Sequence, residues 1–232
     1  VQNCTYGISL SYGSFGVSVE DCEVLECDVG ILLEYSTSCA VRSNNVTGCG
    51  VGISLAWANF SAIYDNFFFN GRNWEISGLC VGNDWNVSRV TGENIIGGPM
   101  GGNYWSDYAG EDLDGDGIGD TALPYGPGDW RPLTSFIRIT EPLSGTSYYP
   151  EERITVRWES SKNVVRVELK LDDSPWQAVE GGSYELPTLS EGVHTVQVRG
   201  FDSAGKVCTD YASFLVWKER PSFIEKVLPR LT

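Results

Sequence analysis

Through the first hundred residues, apolar positions recur in short clusters separated by Gly, Ser and Asn. The interval is far too long for one helix face and too regular for unrelated strands. The pattern Cys-x-x-Gly-Ile-x-Leu occurs at Cys4, Gly7, Ile8 and Leu10, then at Cys27, Gly30, Ile31 and Leu33, then at Cys49, Gly52, Ile53 and Leu55. Cys4 to Cys27 is 23 residues and Cys27 to Cys49 is 22; a weaker copy follows 21 further on, with Asn70, Trp74 and Ile76 in the matching places. Two more ladders run between the copies, Val17–Val41–Ile63 and Cys22–Val46–Phe68. Such a repeat with short strands and tight turns indicates a solenoid, whose coils bury an apolar face only by stacking. The spaced leucines and helical segment of a leucine-rich repeat are missing. A parallel β-helix remains, each strand about 4.8 Å above the last. Ile8, Leu10, Val17 and their equivalents face inward. The Cys4–Cys27–Cys49 ladder, continuing to Asn70, sits at an inward corner as small apolar groups. A disulfide between adjacent coils is the alternative.

After Pro132 the period changes to two. Ile137–Pro142, Ile154–Trp158, Val165–Leu171, His194–Arg199 and Phe214–Trp217 alternate apolar and polar residues. Ser144-Gly145, Asp172-Asp173, Gly181-Gly182, Glu191-Gly192 and Ala204-Gly205 form the turns between them. Half-buried antiparallel strands read this way, and seven or so in about 80 residues indicate a β-sandwich. Phe223, Ile224, Val227, Leu228 and Leu231 have helical spacing, interrupted by Pro229. The expected organisation is β-helix repeats over 1–98, a Gly- and aromatic-rich cap over 99–135, a sandwich over 136–217 and a tail or linker over 218–232. The fold class is all-β.

Charge narrows the partners. With 16 Lys and Arg against 31 Asp and Glu, the formal charge is −15. That argues against nucleic acid or an anionic membrane and suits cation binding. No apolar run reaches the roughly 18–20 residues that span a bilayer, and no signal peptide is present, so Val1 reads as a processed or excised start. Seven Cys is an odd count, leaving at least one thiol free or paired between chains. Sequons at Asn3, Asn45, Asn59 and Asn86 hint at an exported glycoprotein.

The densest chemistry lies in Gly101–Asp120, GGNYWSDYAGEDLDGDGIGD. Asp112, Asp114, Asp116 and Asp120 fall at positions 1, 3, 5 and 9 of a calcium loop, with Gly117 at the sharp turn and Ile118 offering its carbonyl. Leu123 stands where the bidentate Glu belongs, so Asp107, Glu111 or Asp129 would supply the missing oxygens. The absence of flanking amphipathic helices makes the expected cation structural rather than regulatory. Trp74, Trp85, Tyr104, Trp105 and Tyr108 are suited to plug the solenoid end beside it.

The run Gly92-x-Asn94-Ile-Ile-Gly-Gly-Pro99, then Gly102-Asn103-Tyr104-Trp105-Ser106-Asp107-Tyr108, then Asp112-x-Asp114-Gly-Asp116-Gly-Ile-Gly-Asp120-Thr, ending at Asp129 to Leu133, resembles NosD-like β-helix proteins. These are found most often in archaeal cell-surface and S-layer-associated proteins. The resemblance spans roughly 1–135 and implies a right-handed parallel β-helix. The family takes its name from periplasmic copper delivery. That role is not expected here, because copper needs soft or imidazole ligands and the chain has Met100, His194 and scattered Cys. Gly192-Val-His194-Thr-Val-Gln-Val with Asp202-Ser-Ala-Gly205 resembles Ig-like modules of bacterial and archaeal surface proteins, over about 137–217. His194, the one His, is expected to be a strand residue without a triad or metal partner.

Three function classes compete. An enzyme would need a carboxylate pair or a base with Arg; Glu20, Asp21, Glu23, Asp28, Glu34, Arg42 and Asp65 are the outward candidates, and no cluster is expected among them. Carbohydrate binding would use Trp57, Phe60 and Tyr64 with Tyr12, Phe15 and Tyr35, residues that otherwise cover turns. The favoured reading is a non-catalytic, extracellular cell-surface structural protein, rigidified by calcium. It would self-associate head-to-tail into a filament or layer, or meet neighbouring surface subunits and glycans. A carbohydrate-binding or polysaccharide-degrading β-helix is the alternative.

Overall fold

The computed structural model describes residues 1–88 and 92–218. Three strands make each coil: β1 (Tyr6–Leu10), β2 (Ser18–Glu20) and β3 (Glu23–Leu25); β4 (Val29–Glu34), β5 (Ala40–Arg42) and β6 (Asn45–Thr47); β7 (Val51–Ala56), β8 (Ala62–Tyr64) and β9 (Phe67–Phe69). A partial fourth coil adds β10 (Arg72–Ser77) and β11 (Tyr104–Trp105). Like strands stack into three parallel sheets, β1-β4-β7-β10, β2-β5-β8 and β3-β6-β9-β11. This is a parallel β-helix.

The repeat explains itself in register. Ile8, Ile31, Ile53 and Trp74 align, as do Leu10, Leu33, Leu55 and Ile76, and the middle members are fully buried. The Gly of each repeat faces inward at a crowded corner. A Cβ on Gly30 would overlap Val46 Cγ1 and lie 2.6 Å from the Gly52 carbonyl oxygen. All seven cysteines are free thiols. Cys27, Cys39 and Cys49 are buried, and the Cys27 amide donates to Cys49 Sγ at 3.4 Å. Asn70 Oδ1 takes over that role for the Cys49 amide at 2.9 Å.

Two expected ladders are displaced. The residue level with Val41 and Ile63 is Val19, not Val17, and the residue level with Val46 and Phe68 is Val24, not Cys22. The first coil carries one extra residue: Tyr12 stacks on Tyr35, 23 positions on, whereas Phe15 bridges Thr37, 22 positions on. The extra residue therefore lies in the turn between Tyr12 and Phe15; from there to β9 the coils repeat every 22 residues, after which β10 follows β7 by 21 and β11 follows β9 by 37.

The core widens towards its closed end. Val24, Val46, Phe68 and Trp105 form one column, with the last two rings stacked at 4.7 Å. Trp85, Trp105 and Tyr108 are buried there, and Trp74 packs against them half-buried; Tyr104, expected in the same plug, lies instead in a second cluster with Ile96 and Leu133 and stacks on Phe67 at 4.5 Å. Lys206 closes the same end. Its Nζ donates to the Trp105 carbonyl at 2.8 Å and lies 4.9 Å from the Tyr104 ring centroid. Burial lowers its pKa, against the opposing influence of Asp202 and Asp107.

The second half contains β12 (Ile137–Glu141), β13 (Ser147–Tyr148), β14 (Thr155–Ser160), β15 (Val164–Leu171), β16 (Gln177–Val179), β17 (Ser183–Glu185), β18 (Gly192–Asp202) and β19 (Val207–Val216). They form a three-stranded sheet, β12-β14-β17, and a five-stranded one, β13-β19-β18-β15-β16. β14–β17 and β15–β16 pair antiparallel, while the short β13 runs parallel to β19. Along β18 the burial alternates through His194, Val196 and Val198, which is the period-two signature realised. By contacts the chain divides at Phe136/Ile137, yet Ser160–Val165 and Gly200–Cys208 fold with the first unit rather than the second. Tyr104 and Ser135 both donate to Asp202 Oδ2, at 2.7 and 2.6 Å, and this holds the 200–208 turn there. The helical spacing of the tail falls on 219–232, outside the described residues.

Candidate functional site

The acidic loop draws three carboxylates together. One oxygen each from Asp112, Asp114 and Asp116 lies within 4.8 Å of the others. The loop's own amides hold them: Asp112 Oδ1 accepts from Gly115 and Asp116, Asp112 Oδ2 from Gly117 at 2.7 Å, and Asp116 Oδ1 from Ile118. Burial raises the pKa of Asp112, against these amide donors. Asp120 turns to another task, its Oδ2 accepting from the Leu113 amide at 2.8 Å.

Of the helpers expected from sequence, Asp129 and Asp107 are committed elsewhere. Asp107 Oδ1 accepts from Asn73 Nδ2 and Tyr125 OH. Asp129 is fully buried and ends a column of asparagines that sequence reading missed. The Asn44 amide Nδ2 donates to Asn66 Oδ1 and Asn66 Nδ2 to Asn103 Oδ1, both at 2.9 Å. Asn103 then donates from its main chain to Asp129 Oδ2 at 2.8 Å, which also accepts from Trp105 Nε1. Each asparagine satisfies coil carbonyls as well, Asn66 those of Val41 and Tyr64. A Cβ on Gly102 would overlap the Asp129 carboxylate, so only glycine fits beside it. Burial pushes the Asp129 carboxyl up to about 6, with the Asn103, Trp105 and Arg131 donors working against the shift.

The acidic loop is built into this cap. Ile118 is buried and bridges Leu133, and the Gly119 amide donates to the Pro132 carbonyl at 2.8 Å. Tyr108 packs where a Cβ on Gly110 or Gly119 would be, and its hydroxyl donates to the Thr121 carbonyl. Order in the loop is therefore coupled to order in the aromatic plug.

The other candidates separate. Glu20 and Arg42 form an ion pair across adjacent coils at 2.6 Å, which sequence reading did not anticipate. Asp65 is buried between Ser43 Oγ and the Ile95 amide, and burial raises its pKa. Tyr64 lies level with Arg42 on the second sheet, apart from the other aromatics. Tyr12, Tyr35 and Trp57 stack along one corner at centroid distances of 6.1 and 6.4 Å. All three have positive φ, as does Phe60, a conformation costing an L-residue roughly 1–2 kcal/mol that Gly adopts freely.

Among the sequons, Asn3 is exposed. Asn45 accepts from Thr47 Oγ1, Asn59 Nδ2 donates to the Trp57 carbonyl, and Asn86 Nδ2 donates to the Gly128 carbonyl.

His194 does have a partner. Nδ1 meets Asp172 Oδ2 at 2.7 Å and Nε2 meets the Ser190 carbonyl at 2.9 Å. Both are acceptors, so the doubly protonated ring satisfies both. Burial disfavours that cation, but Asp172 and Ser190 outweigh it and the pKa is raised. Its stabilising contribution is fully present below the unfolded value of about 6.5 and is lost as pH rises through the higher folded value. Thermal unfolding from pH 5.5 to 8.5 is expected to show a pH-dependent loss that His194→Gln lacks; parallel profiles for the two proteins would refute it.

Residues 1–110 match the model of a family described as "Periplasmic copper-binding protein (NosD)". The match covers the β-helix and stops before the acidic loop. No curated protein matches the chain. One matching solved structure holds the fibronectin(III)-like modules of Clostridium thermocellum CbhA, with 20% identity over 37% of this chain and 100% of that one, at a TM-score of 0.31. Among the described residues no helix is long and apolar enough to cross a membrane. The donors here do not fit the copper of the family's description. The grouped ligands among the described residues are three aspartates, the buried thiols of Cys27 and Cys49 each donate to a main-chain carbonyl, and both His194 nitrogens are engaged.

Proposed function

We propose that this chain is a non-catalytic structural protein of the extracellular surface, whose β-helix is locked at its closed end by calcium. The observation that carries the reading is the convergence of Asp112, Asp114 and Asp116 on a loop packed into the aromatic plug. Calcium takes six to eight oxygens in adaptable geometry, and a hard carboxylate set with carbonyls nearby suits it better than softer metals. Ile118 and Asp120 are the further ligands expected to swing onto the ion. The periplasmic description of the matched family supports an exported setting, and glycans on the sequons, Asn3 foremost, belong to the same reading.

Calcium at ten times its dissociation constant adds about 1.4 kcal/mol to stability. The melting temperature of the first unit is expected to rise by about 3–6 °C in calcium relative to chelator. Asp114→Asn combined with Asp116→Asn should abolish the shift. An equal melting temperature with and without calcium would sink the calcium reading. β1 and β2 each end their sheet, while residues 1–3 cover the edge of β3, where Gln2 bridges Leu25; neighbouring subunits or further coils are the partners that open edges take. Light scattering at rising concentration tests self-association; a concentration-independent monomer in calcium would refute a head-to-tail filament.

A further inference from the structure

Four successive turns leave the first sheet for the second: 11–16 (SYGSFG), 35–38 (YSTS), 57–60 (WANF) and 78–82 (GLCVG). None contains a charged residue, although the chain carries 47 of them, 31 acidic and 16 basic. Their large side chains stand in solvent: Tyr12 is 82% exposed, Phe15 72%, Phe60 64%, Tyr35 52% and Trp57 48%. Leu79 and Val81 extend the same corner. Contiguous exposed apolar surface of this kind marks an interaction site.

The fold itself does not ask for aromatics here. Tyr12, Tyr35 and Trp57 share one corner position with Gly78, and Phe60 shares another with Gly16, Ser38 and Gly82; every one of these residues has positive φ. Glycine meets that demand without strain, whereas a bulky side chain does not. Strained, exposed aromatics at positions where the same protein elsewhere uses Gly point to a role outside folding.

The rings also face the right way for a flat ligand. Tyr12 and Tyr35 are inclined by 23°, Tyr35 and Trp57 by only 3°. Centroid distances of 6.1 and 6.4 Å exceed the coil rise of about 4.8 Å, so the rings are slid past one another like shingles and each keeps part of a face open. Ser11, Ser14 and Thr37 belong to the same turns, and Ser9 Oγ and Ser11 Oγ hydrogen-bond each other at 2.8 Å beside Tyr12 in the chain.

We infer that this aromatic corner binds an uncharged polysaccharide. Aromatic faces receive the apolar C–H face of a sugar ring, the hydroxyls hydrogen-bond its edges, and the lack of charge excludes neither face of a neutral polymer. A polyanion gains nothing here and is repelled by the chain's net charge. A second copy of the chain, packing ridge to ridge, is the competing occupant.

The test compares the full chain with a Tyr35→Gly, Trp57→Gly variant in binding to amorphous cellulose, chitin, soluble mannan and soluble β-glucan, with polygalacturonate as charged control. Thermal unfolding and light scattering are read on the same samples. Wild type should bind at least one neutral polymer, the variant should bind it at least 10-fold more weakly, and the melting temperature should stay within about 2 °C or rise. Binding to none of the neutral polymers overturns the inference. A clear drop in melting temperature with unchanged binding would make the rings turn packing. Concentration-dependent association that the variant loses would assign the ridge to a second copy. Calcium dependence of melting is unaffected by any of these outcomes, so failure here leaves the proposed structural function standing.

Discussion

Gly30→Ala is expected to destabilise the β-helix by about 3 kcal/mol or more, at the upper end of what overpacking costs. Gly30 faces inward on β4, and a methyl group there overlaps Val46 Cγ1 and lies 2.6 Å from the main-chain oxygen of Gly52. Val46 has little room to yield, being fully buried in a column between Val24 and Phe68. Gly52's oxygen belongs to β7, which is fixed by its pairing with β4 and β10. Relief would require separating two coils. Gly181→Ala, on an open turn with nothing within 4 Å of the new atom, is the control for glycine replacement as such, and its φ of +73° should limit the cost to about 1–2 kcal/mol. Chemical denaturation of the two variants checks this; equal losses would show that the Gly30 corner is not close-packed.

Asn66→Ala is expected to cost about 4 kcal/mol, because it empties the middle of a buried polar column. The Asn66 amide donates to the carbonyls of Val41 and Tyr64 and to Asn103, and its oxygen accepts from the Asn44 main chain and side chain. Asn66 is fully buried, so water does not replace the lost partners at once, and each stranded buried group costs about 1–3 kcal/mol. Asn66→Asp keeps the shape but turns acceptors towards three oxygens, and should do no better than alanine. Denaturant midpoints for both variants decide the matter; a loss below about 1 kcal/mol for alanine would mean the column is solvated in solution.

The contrast between these two sites explains what the sequence revealed. The Cys, Gly, Ile and Leu ladders were legible because each rung repeats nearly the same residue at nearly the same interval. The asparagine column was not, although Asn44 and Asn66 are 22 apart. Its third rung, Asn103, comes 37 residues later because the fourth coil carries an insertion before β11. Asp129 looked like a cation ligand because it is acidic and close in sequence to the loop. Its burial under Gly102 and its bonds to Asn103 and Trp105 are three-dimensional facts. Val17 and Cys22 stand 24 residues before Val41 and Val46, whereas the register there is 22, so Val19 and Val24 take those rungs; an extra residue among Ser and Gly in the first turn had blurred the interval. Asp202 and Lys206, which complete the cap, are about a hundred residues from Tyr104 and Trp105, beyond any local pattern.

The most direct test of the cation-locked cap is hydrogen–deuterium exchange of the intact chain with calcium and with chelator. Calcium is expected to slow exchange at the Leu113–Asp120 amides and, through Ile118, Gly119 and Tyr108, in the Tyr104–Tyr108 plug, while coils β1 to β6 stay unchanged. Identical exchange across 101–136 in both conditions would contradict a calcium-locked β-helix.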